Sequence, residues 1–78
     1  NEIEELDLSN NPIKKWNSKL INFQNLRKLN LSNTEISEIP MEELKNMPNL
    51  ETLMIKNTKI SEQDILLYKT LIPTMAFK

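Results

Sequence analysis

The chain has 78 residues, with 10 basic and 11 acidic side chains and no histidine, cysteine or glycine. One domain with a small core is all that this length allows, and with neither cysteine nor histidine no disulfide or zinc site braces it. A net charge of -1 excludes the basic patch that nucleic acid or anionic lipid calls for, no run approaches the roughly 18 apolar residues of a membrane span, and the charged start Asn1-Glu2-Ile3-Glu4-Glu5 is not a signal peptide.

In chain order, the first apolar residues are Ile3, Leu6, Leu8 and Ile13, spaced three, two and five apart. That spacing suits neither a continuous helix nor a long strand. It suits a strand of about three to five residues around Asp7, buried on one face and followed by a turn. Ile13, Trp16, Leu20 and Phe23 then frame a return segment, read as a 3₁₀ turn or an extended stretch. The spacing recurs at Leu26, Leu29, Leu31 and Ile36, and again at Leu50, Leu53, Ile55 and Ile60, with offsets of 23 and 24 residues. Between the second and third copies a short helix is predicted from about Met41 to Asn46. Pro40 suits its first turn, Glu42 and Glu43 lie near the positive end of its dipole, Lys45 lies near the negative end, and Leu44 and Met47 face the core.

After Ile60 the frame breaks, because Gln63 stands where the earlier copies have Trp16 and Ile39. Ser61 reads as an N-cap with Asp64 in the capping-box place, and Ile65, Leu66, Leu67, Tyr68, Leu71 and Ile72 predict a helix with a wide apolar face that Pro73 ends. A terminal repeat leaves an apolar edge that needs cover, so this helix reads as a cap, with partner binding as the alternative. Thr74 to Lys78 reads as a tail, with Met75 and Phe77 tucked against the cap. The 11 asparagines are the substitute for glycine where the backbone needs positive φ.

The 23- and 24-residue period and the L-x-x-L-x-L-x-x-N-x-L form resemble the leucine-rich repeat family, in its typical 23–24-residue class. Ile36-x-x-Ile39-Pro40 resembles the L-x-x-L-P element of that class. Asn11 sits at the family's asparagine position, and Thr34 and Thr58 stand there in the next copies, where one hydroxyl replaces the amide's bonding only in part. The resemblance implies an α/β fold, a right-handed solenoid with a three-stranded parallel sheet on the concave face and short helices or turns on the convex face. Its repeats run approximately over 3–25, 26–49 and 50–60, with the cap at 61–78. Inward positions are Ile3, Leu6, Leu8, Ile13, Leu26, Leu29, Leu31, Ile36, Ile39, Leu44, Leu50, Leu53, Ile55 and Ile60.

In-register stacking predicts columns of outward side chains: Glu5, Lys28 and Thr52; Asp7, Asn30 and Met54; Ser9, Ser32 and Lys56; Asn10, Asn33 and Asn57; Pro12, Glu35 and Lys59. Glu5 beside Lys28 and Glu35 beside Lys59 read as cross-strand ion pairs. The family uses this face for protein partners, so Asp7, Asn30, Met54, Lys56 and Lys28 are the candidate partner-binding residues, with Met54 the apolar anchor. The function implied is a protein-interaction module; the alternative is the substrate-recognition segment of a larger enzyme or effector of ubiquitin ligase, receptor or bacterial type. No nucleophile–base pair, metal-ligand set or phosphate-cradling loop is present, so no enzyme, cofactor or metal is expected, and the acid pairs Glu4/Glu5 and Glu42/Glu43 read as solvated charge. Asn30-Leu31-Ser32 matches the glycosylation sequon, but a glycan there would block the concave face. The absence of cysteine-rich caps leans towards an intracellular (cytoplasmic) setting. Nothing covers Ile3, Leu6, Leu8 and Trp16 on the N-terminal side, which implies either a piece of a longer array or self-association through that edge.

Overall fold

The computed structural model describes residues 2–78; Asn1, the first residue of the charged start, lies outside the described residues. Strands β1 (Glu5–Asp7), β2 (Lys28–Asn30) and β3 (Thr52–Met54) are joined by a 3₁₀ helix (Ser18–Asn22) and by α1 (Met41–Lys45); α2 (Glu62–Leu71) then leads to β4 (Ala76–Phe77). All neighbours are parallel, in the order β1-β2-β3-β4. The fold is the α/β repeat solenoid that the family resemblance implied, with one strand more. Residues read as a tail carry that strand. Phe77 stands 24 residues after Leu53 and pairs with it, as Leu53 stands 24 after Leu29. The frame therefore resumes beyond the break at Gln63.

Between the sheet and the return segments lies the core. Leu29 and Leu53 are 0% exposed, and Leu26, Leu31, Ile36, Ile39, Leu44, Leu50, Ile55 and Ile60 are buried with them. Each fully buried leucine contributes about 1.5–3 kcal/mol of transfer free energy. The first copy departs from expectation: Leu6, Leu8 and Ile13 are half-buried and Ile3 is 41% exposed. They touch a neighbouring repeat on one flank only, whereas the second copy is covered on both.

Return segments form where the local chemistry directs them. Asn17 caps the 3₁₀ helix by accepting from the Lys19 N–H, which settles the first return in favour of the 3₁₀ turn. Pro40 is the N-cap residue of α1 and not part of its first turn. Ser61 caps α2 by accepting from the Asp64 N–H at 3.1 Å, as read from the sequence. The apolar face of α2 is narrower than predicted. Tyr68 is buried and Ile65 and Ile72 are half-buried, but Leu66, Leu67 and Leu71 are 67%, 50% and 45% exposed. One helix packing on a sheet this short can bury only the stripe beneath it. Tyr68 is its anchor: the hydroxyl accepts from the buried Ile39 N–H at 3.1 Å, and the ring lies 6.2 Å from that of Phe77.

After every full strand the backbone turns the same way. Asn10, Asn33 and Asn57 have φ of 60°, 59° and 58°, the left-handed region that glycine would otherwise fill. One residue on, Asn11 donates to the Leu8 and Ser9 carbonyls at 3.1 and 3.0 Å. Thr34 and Thr58 reach the equivalent Leu31 and Ile55 carbonyls at 2.7 and 2.9 Å, one acceptor each. Threonine thus keeps the first of the amide's two bonds. Replacing Asn33 by valine should cost about 1–2 kcal/mol in urea unfolding, whereas Asn33→Gly should cost a fraction of that, since glycine bears no Cβ to clash at positive φ.

Candidate functional site: the outward face of the sheet

Because each strand lies in register with the next, outward side chains form rows across the sheet. Glu5, Lys28, Thr52 and Ala76 make the first, and Asp7, Asn30 and Met54 the second. Continuing the register one residue past Phe77 sets Lys78 at the end of the second row, with its N–H on the Leu53 carbonyl at 2.8 Å. Ser9, Ser32 and Lys56 follow in the turns, tied by Asn10 N–H to Ser32 O at 3.0 Å and Asn33 N–H to Lys56 O at 2.8 Å.

A shallow hollow of about 210 Å³ opens on this face, lined by Glu5, Leu6, Asp7, Lys28, Asn30 and Met54. It brings together four of the five candidate residues, Asp7, Asn30, Met54 and Lys28; Lys56 lies outside it. Two of the four are held by their own turns. Asp7 accepts from the Ser9 N–H at 2.9 Å and from the Ser9 hydroxyl at 2.5 Å, and Asn30 Oδ1 accepts from the Ser32 N–H at 3.0 Å. The Ser9 hydroxyl, then the Ser9 amide, hold the Asp7 carboxyl below its ordinary 3.8. Asp7 and Lys28 are exposed, while Asn30 and Met54 are half-buried, so the hollow is charged at its rim and partly apolar at its floor.

Of the two expected ion pairs, Glu35 and Lys59 meet at 3.6 Å. Glu5 and Lys28 face each other in register, but among the described residues they form no ion pair. The pairing occurs one residue earlier. Arg27 lies between Glu51 at 2.8 Å and Glu4 at 3.5 Å, two carboxylates that hold its pKa above the ordinary guanidinium value. With its side chain 58% exposed, this alternating row adds little stability. Sequence reasoning missed it, although the 23- and 24-residue offsets that align Glu4, Arg27 and Glu51 were in hand.

The opposite side of the solenoid carries a groove of about 530 Å³ along the first two return segments. Glu43, read as solvated charge, is engaged there. Its two oxygens accept from the Trp16 indole N–H at 2.9 Å and the Ser18 hydroxyl at 3.1 Å. The bond spans 27 residues and no local spacing signals it. Among the described residues no three or more acidic groups come close enough to hold a metal ion, and no helix is long and apolar enough to cross a membrane.

A family model described as "Leucine Rich repeats (2 copies)" matches twice, over residues 1–46 and 24–68. The chain belongs to the leucine-rich repeat family, whose domains are generally protein-interaction modules and typically not enzymes. A solved leucine-rich-repeat protein of Leptospira interrogans shares the fold, with a TM-score of 0.66 at 22% identity over 97% of this chain. The chain spans 25% of the length of that protein. No curated protein matches the sequence.

The Asp7 turn predicts a titration behaviour. In NMR titration the Asp7 carboxyl should titrate below 3.8, and Ser9→Ala should return it towards that value. Because the folded pKa is the depressed one, the turn's contribution is present above the unfolded pKa and is lost as pH falls through the folded value.

Proposed function

We propose that this chain binds a protein partner through the concave face of its sheet, with the hollow around Met54 as the contact centre. The observation that carries the reading is the composition of that hollow: a half-buried thioether beside an acid, a base and an amide on one rigid sheet. Methionine adapts to irregular partner surfaces, and charged groups around an apolar centre add orientation and selectivity. Strand registers fix the rows, so a partner meets a preorganised surface and little ordering cost opposes binding.

Lys56 extends the basic side of the face beyond the hollow, and Lys28 supplies its central cation. The same surface suits the substrate-recognition segment of a larger enzyme or effector. Either role uses the sheet and leaves the return segments as scaffold.

A photo-crosslinking residue at position 54 should capture a partner that the same residue at position 45, on α1, does not. In the recovered complex, Met54→Ala and Lys28→Ala should each weaken binding about tenfold, the ~1.4 kcal/mol scale of a contact-centre residue, while Lys45→Ala leaves it unchanged. Crosslinks from position 45 alone would refute the concave-face reading.

A further inference from the structure

Outside the ion pairs within the chain, the outward face of the sheet keeps an ordered charge. Arg27 is taken by Glu51 and Glu4, and Lys59 by Glu35. What remains is acid on the first strand, Glu5 and Asp7, and lysine on the later ones, Lys28 on β2 and Lys56 just past β3. Between them lie the half-buried Asn30 and Met54. Both outward residues of β1 are acidic, so the sign changes on crossing strands and not on moving along the first.

A segment matched to that charge order lies across the strands, and strand spacing selects its conformation. Row mates stand about 4.8 Å apart, so the second, third and fourth strands lie about 5, 10 and 14 Å from the first. On a helix, residues i, i+3, i+7 and i+10 share a face, and a rise of about 1.5 Å per residue sets them about 4.5, 10.5 and 15 Å along the axis, within about an ångström of each row mate. In an extended chain, residues on one face are two apart, about 6.7 Å, and the first step already falls between rows. The row Asp7, Asn30, Met54 and Lys78 thereby specifies a basic residue at i, a polar one at i+3, an apolar one at i+7 and an acid at i+10.

We infer that the partner element received by this face is an amphipathic helix lying across the strands, with its basic end over Glu5 and Asp7, an apolar side chain on Met54 and its acidic end over Lys56 and Lys78. The inference rests on the concave-face reading and adds to it the partner's conformation and charge order. A wholly acidic helix would meet Glu5 and Asp7, and a wholly basic one Lys56 and Lys78, each with like charges opposed.

Four synthetic peptides of equal length test it, each with leucine at i+7. Three are helical and carry lysine at i and glutamate at i+10, lysine at both, or glutamate at both; the fourth is the mixed peptide with proline at i+5, which breaks the helix. NMR titration of the whole chain reads affinity and location together. The mixed helical peptide should bind at least about threefold tighter than the other three, and its lead over the two like-charged helices should fade with added salt. Glu5→Lys should move the preference towards the peptide with two glutamates, and Lys56→Glu towards the one with two lysines. Neither residue forms an ion pair in the fold, and a mere loss of stability does not move preference in opposite directions. Resonance shifts on α1 in place of the rows would overturn the concave-face reading and this inference with it. Shifts on the rows with equal affinity for all four peptides, or a preference that neither variant moves, overturn the helix inference alone. So does binding of the proline peptide as tight as that of the mixed helix, and so does the failure of every peptide to bind at ~1 mM.

Discussion

One column of apolar side chains, Leu6, Leu29, Leu53 and Phe77, sets the architecture, because each must lie directly on the last. The strands are three residues long at most and supply few ladder bonds. Stacking in register therefore requires that each return segment bring the chain back by the same displacement, in 23 or 24 residues here, whatever structure it adopts. A 3₁₀ turn, a five-residue α-helix and a ten-residue α-helix all meet that requirement here. What is conserved from copy to copy is the displacement, not the conformation.

The turn that leaves each strand is where displacement is fixed, and there the chain uses one device three times. A left-handed asparagine reverses the backbone, and the next side chain hooks the carbonyl two residues before the asparagine. With no glycine available, asparagine is the residue whose short amide best tolerates that conformation. The asparagines also join across copies, since Asn57 Nδ2 donates to Asn33 Oδ1 at 3.0 Å. The hooks bond locally, and the asparagine contact binds one copy to the next, so local turn geometry and stacking reinforce each other.

Much of this was legible because the period of the sequence is the register of the sheet. Once Leu6, Leu29 and Leu53 are aligned, the rows of outward residues follow, with Asp7, Asn30 and Met54 in one and Lys28 in the next; that these four line one hollow was not read. The fourth strand was not read, since Gln63 interrupts the frame in α2 and only Ala76 and Phe77 resume it. Periodicity names the residues that share a helix face but not how many of them find a surface to cover, which is why Leu66, Leu67 and Leu71 proved exposed. Contacts between different return segments, Trp16 with Glu43 and Tyr68 with Ile39, depend on the angle at which segments pack. No one-dimensional pattern encodes that angle.

Stacking also separates what the sequence is free to vary from what it is not. Inward residues are bound to one size and polarity by the neighbours above and below, so the second copy's leucines are interchangeable in role with the third's. Outward residues meet their row mates across about 4.8 Å of strand spacing, a distance at which an acid, an amide and a thioether coexist without strain. The row Asp7, Asn30, Met54 therefore changes chemistry at every step while the column beneath it is leucine at each of the same three strands. Opposite demands on alternate residues of a three-residue strand are what let so small a core carry a chemically distinct surface, and they place that variety on the sheet.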